Sequence, residues 1–439
     1  MKFSKYNMVV DIDGGILLYN LSNAKCVKIY KKEELNKFIT LLKSKKLDSN
    51  DEMIQALYKR GYVVDDDVNE YEEVKKLINN HYQKSERQLK IMLYVTEQCN
   101  FRCTYCFQKH LNKQFSIENW DALYKYIEKN LKKGSYDSVT FAFFGGEPLL
   151  EVDKIINFLD RLTVLKELYP NIIFSHRMTT NGYLLTPDVY DKLVERDVLN
   201  YQITIDGFAD THDKTRPLVN GKGTWEKIIE NFKYINSKND KVYIITRVNI
   251  SSVNMDKLES FIDWFLQNFN SKKFNLDLNS VSKFTDLVDD ELIPNWESCA
   301  MQDLSKSTVQ KTGADLSRCG FLSMACHCAA LGFFAISVDG KIIKCEEATT
   351  DNYDEIGYLS KDGDFIFDSE LIKGWQEGFE TEDCPDCIIY PLCAGRSCPQ
   401  NKLYNPNTRE ECRYKDKTNP VDIIVKDFLR NAYYSNSIK

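Results

Sequence analysis

The distribution of cysteine constrains this chain more than any other feature. Fourteen cysteines occur among 439 residues, and their positions are uneven. Three of them lie within eight residues, at Cys99, Cys103 and Cys106, and nine lie after residue 318. None occurs between Cys106 and Cys299. Cysteines that serve only as small buried apolar residues would be scattered, so the clusters indicate metal ligation or catalysis.

Charge and hydropathy exclude several classes of protein. The chain begins MKFSKYNMVVDIDGG, which lacks the apolar core and cleavage site of a signal peptide, so we expect a cytoplasmic protein with reduced thiols. No apolar stretch approaches the roughly 20 residues of a membrane span. The 58 basic and 65 acidic residues give a net charge of −7, which disfavours nucleic acid as a partner. The length predicts two or three domains.

Residues 1–85 are predicted to form a small unit of strands and helices with an exposed strand edge. Asp13-Gly14-Gly15 is a hairpin signal between two of the strands, and Ser49 is a candidate N-cap for the second helix. The predicted strands are 8–11, 16–19 and 25–30, and the predicted helices are 33–42, 53–58 and 71–82.

Residues 86–310 alternate strands with helices, which predicts an α/β fold with a parallel sheet. The predicted strands are 89–95, 138–144, 172–178, 201–205, 242–249 and 274–278. The predicted helices are 116–133, 152–168, 187–196, 225–238 and 255–269. Six strands are too few for a closed eight-stranded barrel, so we predict a partial (β/α)6 barrel with its site at the carboxyl ends of the strands.

Residues 311–439 lose regular periodicity as the density of cysteine rises. Such a segment is predicted to depend on metal ligation for much of its fold. A closing amphipathic helix is predicted at residues 421–433.

The cysteine triplet follows the first predicted strand of the parallel sheet. Structural zinc sites have four protein ligands. Three thiolates in one loop therefore indicate a metal centre with one open coordination position, such as an iron-sulfur cluster. His110 is a conceivable fourth ligand, although a single histidine in a polar loop is more often solvated.

The spacing Cys-x3-Cys-x2-Cys, with Tyr105 before the last cysteine, resembles the signature of the radical S-adenosylmethionine (SAM) enzymes. Gly145-Gly146-Glu147-Pro148 resembles the family's segment for the methionine amino group, and Thr180-Asn181-Gly182 follows the next strand. The resemblance implies a 4Fe-4S cluster on Cys99, Cys103 and Cys106. It also implies SAM contacts from Tyr105, Gly145, Gly146, Glu147, Thr180, Thr204, Asp206, Arg216, Arg247 and Asn249.

The later cysteines resemble the SPASM extension of that superfamily, which implies two auxiliary 4Fe-4S clusters. Auxiliary cluster I would take Cys319, Cys328, Cys345 and Cys398, and auxiliary cluster II would take Cys384, Cys387, Cys393 and Cys412. Two departures matter: four residues separate Cys393 from Cys398 where the pattern has three, and Cys326 also fits the first spacing. Zinc is the alternative, although this region has only one Cys-x2-Cys pair.

The resemblance implies that a 5′-deoxyadenosyl radical abstracts hydrogen from an unactivated C–H bond, with a flavodoxin or ferredoxin as reductant. Residues 1–85 resemble the winged-helix-like recognition element of enzymes that mature ribosomally synthesised peptides (RiPPs), which implies a precursor peptide whose leader adds a strand. We therefore expect a peptide maturase that installs a Cys thioether, or otherwise a carbon-carbon or ether link. The alternatives are a sulfatase-maturating enzyme, an epimerase and a non-enzymatic electron carrier. No catalytic side chain is predicted.

Overall fold

The computed structural model describes residues 1–44, 46–281, 290–292, 321–345, 355–376, 380–395, 412, 425–426 and 429–430. The chain divides into two compact units. One comprises residues 1–84, 309–330 and 373–439, and the other comprises residues 85–308 and 331–372. These boundaries differ from the three predicted segments, because residues 331–372 belong with the parallel sheet. None of the helices within the described ranges combines the length and apolarity needed to cross a bilayer.

The second unit is built on six parallel strands that lie side by side in chain order. Each predicted strand overlaps an observed one, and the α/β class with a parallel sheet is confirmed. The first strand is buried on both faces over most of its length, as expected for a parallel sheet covered by helices. The strands are β6 (Gln88–Thr96), β7 (Ser138–Gly145), β8 (Ile173–Thr180), β9 (Val198–Thr204), β10 (Tyr243–Ile250) and β11 (Phe274–Ser280).

The helices between these strands follow from apolar residues at helical spacing and from their caps. Trp120, Leu123, Ile127 and Leu131 lie on one buried face, and the Ser116 hydroxyl caps that helix by accepting from the Asn119 amide. The helices are α4 (Ile117–Lys132), α5 (Val152–Leu168), α6 (Pro187–Val194), α7 (Ala209–Thr215), α8 (Trp225–Ser237) and α9 (Leu258–Asn268). Helix α7 was not predicted, since its seven residues carry no apolar face.

Four strands that the sequence did not predict lengthen the same sheet. The first pairs in parallel with β6, and the others follow in antiparallel order. They are β12 (Phe333–Ile336), β13 (Lys341–Ile343), β14 (Gly357–Leu359) and β15 (Phe365–Phe367). Strands of three or four residues are too short to give a recognisable alternation, which is why this segment looked irregular.

The first unit contains a three-stranded antiparallel sheet in the order β2-β3-β4 and a short β1-β5 pair. The second helix is capped by Asp51, not Ser49, because the Asp51 carboxylate accepts from the amides of Met53 and Ile54. The elements are β1 (Lys2–Phe3), β2 (Asn7–Ile12), β3 (Gly15–Asn20), β4 (Lys25–Ile29), α1 (Lys32–Lys43), α2 (Glu52–Tyr58), β5 (Val63–Val64), α3 (Glu70–Glu86) and α11 (Tyr390–Cys393). Helix α10 (Ser369–Gln376) spans the boundary between the two units at residue 373.

One core of the first unit joins the two ends of the chain. Tyr6 and Met8 from the N-terminal strands and Ile78 from α3 pack in one cluster with Tyr390 and Leu392 from the cysteine-rich segment. The buried members of a second core all lie within residues 16–63, and Met1, Phe3 and Val9 pack against them. The predicted closing helix falls almost entirely outside the described residues.

Candidate active site

A cavity of about 480 Å³ opens at the carboxyl ends of the parallel strands, where a site was predicted. The residues lining it come from the cysteine loop after β6, from strands or strand ends of β7 to β11, and from the position directly after α7. The lining includes Cys99, Cys103, Tyr105, Cys106, Gly145, Gly146, Thr180, Thr204, Arg216, Arg247 and Asn249. Among the predicted SAM contacts, Glu147 and Asp206 are the two that do not line it.

The cysteine loop is held by backbone hydrogen bonds to the segment after α7. The amide of Arg102 donates to the carbonyl of Pro217 at 2.9 Å, and the amide of Thr104 donates to the carbonyl of Thr215 at 2.9 Å. Phe101 forms an isolated β-bridge with Leu218. The cysteine loop, which contains no strand, is therefore fixed by residues 215–218, more than 100 positions later in the chain.

The three thiols of the loop share a buried, cation-containing environment. Burial raises the pKa of Cys99 to about 11 and that of Cys103 to about 12, and it also raises the pKa of Cys106. The positive charge of Arg216 opposes this shift at all three thiols. Since iron binds thiolates, this guanidinium favours the form that ligation requires.

The three thiols of the cysteine loop line one cavity. Three thiolates in one loop can each bind a different iron of an iron-sulfur cluster, which leaves one position of the cluster open. His110 lies 3.4 Å from the Cys106 sulfur through its Nε2 and also lines the cavity.

Two consecutive glycines allow the ends of β6 and β7 to approach closely. A Cβ on Gly145 would lie 2.2 Å from the Thr96 carbonyl oxygen, and a Cβ on Gly146 would lie 2.1 Å from that of Gln98. The Gly146 amide donates to Thr96 at 2.8 Å. The glycines are therefore required by the packing of the cysteine loop itself, apart from any contact with a ligand.

Glu147 is a fully buried acceptor behind the cavity wall. Its Oε1 accepts from the Leu149 amide at 3.0 Å and from the Thr180 hydroxyl at 2.7 Å, and its Oε2 accepts from the Asn181 amide at 2.7 Å. Burial raises its pKa, and these donors oppose the shift. The side chain thus connects the loops that follow β7 and β8.

The Tyr105 hydroxyl is the centre of a hydrogen-bonded hub. It donates to Asp206, and it accepts from the Asn249 side chain at 3.0 Å and from Arg216 Nη1 at 2.8 Å. The Asp206 carboxylate also accepts from the Asn249 amide at 2.8 Å. Burial raises the pKa of Asp206 and holds that of Tyr105 well above its usual range. The hub joins the cysteine loop to the ends of β9 and β10.

A row of polar side chains crosses the strands at the base of the cavity. Thr204, Arg247 and Asp277 are in register on β9, β10 and β11, and Arg247 pairs with Asp277 at 3.0 Å. Two residues further along β10 and β11, Asn249 is in register with Asn279. The row offers both charge and amide groups to a polar ligand.

Several cavity residues were not predicted. Asn181 donates through Nδ2 to Asn100 at 2.8 Å, and the same atom lies 3.9 Å from the Cys99 sulfur. Gln202 and Asn279 line the cavity from β9 and β11, as does Gln108 from the cysteine loop. Alternation within β9 and β11 could have indicated Gln202 and Asn279, whereas the neighbourhood of Asn181 depends on long-range packing.

The auxiliary cysteines are described only in part, since Cys319 and Cys398 lie outside the described residues. Burial raises the pKa of Cys387, and the thiols of Cys412 and Cys384 raise it further, so each of these two thiols lies near Cys387. Of the remaining predicted ligands, Cys328 and Cys393 are buried and Cys345 is partly buried.

Comparison with known proteins identifies the family of the segment that forms most of the parallel sheet. Residues 93–265 match the family model described as the radical SAM superfamily, and this range contains the cysteine triplet and five of the six parallel strands in whole or part. These residues form a radical SAM domain. A radical SAM enzyme uses SAM together with a 4Fe-4S cluster, which agrees with three thiols in one cavity.

Two relatives resemble this chain in sequence. A cysteine-type anaerobic sulfatase-maturating enzyme of Clostridium novyi is 28% identical over 356 residues, covering 70% of this chain and 87% of that protein. The radical SAM cyclopropyl synthase TigE of Paramaledivibacter caminithermalis is 25% identical over 306 residues, covering 63% and 61%.

Two solved structures share the fold. The chain resembles anSMEcpe with bound AdoMet, with a TM-score of 0.58, 18% identity, and coverage of 80% of this chain and 96% of that chain. It also resembles Streptococcus suis SuiB bound to precursor peptide SuiA, with a TM-score of 0.54, 14% identity, and coverage of 94% and 99%. At these identities the likeness concerns the fold alone.

Proposed function

We propose that this radical SAM protein matures a ribosomally synthesised peptide by installing an intramolecular cross-link. One observation carries the proposal: the likeness to SuiB with its precursor peptide extends over 94% of this chain, whereas the likeness to anSMEcpe extends over 80%. The chain therefore matches the whole extent of a protein whose solved complex contains a precursor peptide.

The cofactor site proposed for this reaction is the cavity at the strand ends. Cys99, Cys103 and Cys106 are the proposed ligands of the 4Fe-4S cluster, because they are the three thiols that line it. The proposed SAM contacts from the cavity wall are Tyr105, Gly145, Gly146, Thr180, Thr204, Arg216, Arg247 and Asn249. Glu147 and Asp206 would act from behind the wall, through Thr180 and Tyr105 respectively.

The proposed peptide-binding element is the three-stranded sheet of residues 1–85. Strands β2 and β4 each pair with β3, and neither has a second strand partner within the described ranges. An extended leader peptide could add a strand to such an edge, with main-chain hydrogen bonds providing affinity. This sheet and the helices α1 to α3 are the proposed winged-helix-like recognition element.

The proposed bond-forming step removes two hydrogens from the peptide. When bound, SAM and the cluster supply the 5′-deoxyadenosyl radical that takes one hydrogen atom from a C–H bond. If the product is a Cys thioether, the S–H bond breaks, the C–S bond forms, a proton leaves to solvent, and one electron leaves the product radical. The proposed auxiliary clusters would accept that electron. A carbon-carbon or ether link has the same balance.

Residues 311–439 are proposed to supply two auxiliary clusters in a SPASM arrangement. The ligand sets remain Cys319, Cys328, Cys345 and Cys398 for one, and Cys384, Cys387, Cys393 and Cys412 for the other. Support comes from Cys384 and Cys412, each of which raises the pKa of Cys387 and therefore lies near it. Anaerobic reconstitution should then give about twelve irons per chain, and about four would contradict the assignment.

Co-expression with a precursor peptide tests the proposed function. The gene's neighbourhood is searched for a short, cysteine-bearing reading frame that encodes the peptide, and the product is examined by tandem mass spectrometry. We expect a loss of two hydrogens localised to a linked pair of residues. An unmodified peptide, in a sample where SAM is cleaved, would contradict the proposal. The Cys103→Ala variant is the matched control and should leave the peptide unchanged.

A second candidate is a sulfatase-maturating activity, favoured by the 28% identity over 87% of the Clostridium novyi enzyme. A synthetic peptide carrying a sulfatase-type cysteine motif distinguishes the two. Conversion of its cysteine to an aldehyde supports this candidate, whereas cross-linking of the adjacent precursor alone supports the maturase.

A further inference from the structure

Arg216 is the most deeply buried cation of the cavity wall. Its side chain is 6% exposed, and its guanidinium carbon lies 5.6 Å from the centre of the Phe101 ring. Nη1 donates to Tyr105 at 2.8 Å, whereas Nε is buried without a hydrogen-bond partner. The residue thus carries a full positive charge between two residues of the cysteine loop.

A relay of three buried groups fixes the backbone on which Arg216 stands. The Asp206 amide donates to Nδ1 of His212 at 3.0 Å, so the ring proton is on Nε2, which faces the Thr224 hydroxyl at 3.1 Å. That hydroxyl donates to the Arg216 carbonyl at 2.8 Å. His212 is fully buried, and burial together with the charge of Arg216 holds its pKa well below the usual value.

The same backbone is joined to the cysteine loop on both sides of Arg216. Thr215 and Pro217 accept from amides of that loop at 2.9 Å each. Arg216 is therefore held by His212 and Thr224 from one direction and by the thiol-bearing loop from the other. The backbone hydrogen bonds of Thr215 and Pro217 suffice to form the turn. The hydrogen bonds through His212 and Thr224 therefore add a further constraint on the position of Arg216.

We propose that Arg216 is a fixed cation of the cluster-binding loop, positioned by His212 and Thr224, whose charge favours the reduced state of the cluster. A thiolate-ligated cluster gains negative charge when it accepts an electron, and a cation held nearby in a poorly hydrated wall stabilises that charge. The inference rests on the proposed ligation by Cys99, Cys103 and Cys106. It gives Arg216 a role that does not require contact with SAM.

The test is an EPR-monitored redox titration of the reconstituted enzyme, following the signal that changes when SAM is added. Arg216→Gln should lower the equilibrium constant for one-electron reduction about tenfold, which corresponds to about 59 mV. Lys214→Gln is the matched control, because it removes a charge from an exposed position of the same segment and should change the constant less than about twofold.

Variants of the relay separate positioning from charge. His212→Leu should move the potential in the same direction as Arg216→Gln, while His212→Asn, which can keep an acceptor for the Asp206 amide, should move it less. Arg216→Lys should retain most of the wild-type potential. If Arg216→Gln fails to bind a cluster, His212→Leu and Arg216→Lys decide the question.

An unshifted potential in Arg216→Gln or, where that variant binds no cluster, in His212→Leu would overturn the proposal. A weakened affinity for SAM together with that unshifted potential would leave Arg216 with its proposed SAM contact alone. If the cysteine ligation itself were wrong, the wild type would show no SAM-sensitive signal, so the two failures are distinguishable.

Discussion

Replacing Glu147 by Gln distinguishes a structural connector from a direct SAM contact. The carboxylate accepts three hydrogen bonds from two neighbouring loops. A glutamine can keep its oxygen at the Oε1 position, where two donors converge, but its amino group must then face the Asn181 amide. The substitution therefore loses at least one hydrogen bond and sets two donors against each other.

The magnitude follows from the bonds that change. A hydrogen bond to a charged acceptor contributes about 1.5 to 3 kcal/mol, and a buried donor left without a partner costs about 1 to 3 kcal/mol. Relief from burying a charge offsets part of this loss. We expect a net local destabilisation of about 3 kcal/mol, which is a factor of about 100 in the opening equilibrium of these loops.

Hydrogen-deuterium exchange without SAM measures this opening directly. Amides of residues 149 and 181 donate to Glu147, so peptides that contain them should exchange about 100-fold faster in Glu147→Gln. Glu151→Gln is the matched control, because Glu151 pairs with Lys154 across one helical turn and should matter by less than about 0.5 kcal/mol. If amide protection is unchanged in Glu147→Gln while the affinity for SAM falls strongly, Glu147 does not act by connecting the two loops. Glu147 would then be a direct SAM contact.

Three further substitutions test the rest of the site. Cys103→Ala should abolish SAM cleavage and lower iron content by about four per chain, because one ligand of the cluster is lost; full iron content would contradict the ligand assignment. Gly146→Ala places a Cβ 2.1 Å from the Gln98 carbonyl oxygen and should lower the free energy of unfolding, measured in urea, by about 1 to 3 kcal/mol or more. The control is Gly134→Ala, whose Cβ meets nothing within 4 Å; it should lower that free energy by about 1 kcal/mol, because Gly134 has a positive φ. Tyr105→Phe removes the hub hydroxyl and should weaken SAM binding about tenfold in equilibrium dialysis at unchanged iron content; unaltered affinity would mean that the hub does not shape the site.

Local patterns in the sequence predict the parallel sheet well, because its strands and helices are long enough to display their own periodicity. Helix α5 is found at the predicted residues, and Pro187 starts α6 as predicted. The short strands β12 to β15 and helix α7 show where that reasoning stops. Three or four residues, or a polar turn of helix, take their conformation from neighbours in the sheet rather than from their own pattern.

The candidate site divides in the same way. Motifs at strand ends predict which residues reach the cavity, since carboxyl ends of parallel strands meet at one edge. They do not predict that Glu147 turns away from the cavity to bind two backbone amides, nor that Arg216 packs beside the ring of Phe101. Those contacts depend on how irregular loops pack against one another, and no local period encodes that packing.

Peptide recognition by residues 1–85 has to be tested in place rather than by deletion. Tyr6 and Met8 are fully buried in a core that also contains Tyr390 and Leu392 of the cysteine-rich segment. Removing the N-terminal strands would expose that apolar surface, so losses of peptide modification, cluster content and solubility would be indistinguishable. Within β4, Ile29 is buried in the second core and Val27 packs against it, whereas Lys25 is exposed. A substitution at Lys25 therefore leaves the core intact, and a selective loss of peptide modification with unchanged iron content would then identify this edge as the leader-binding strand.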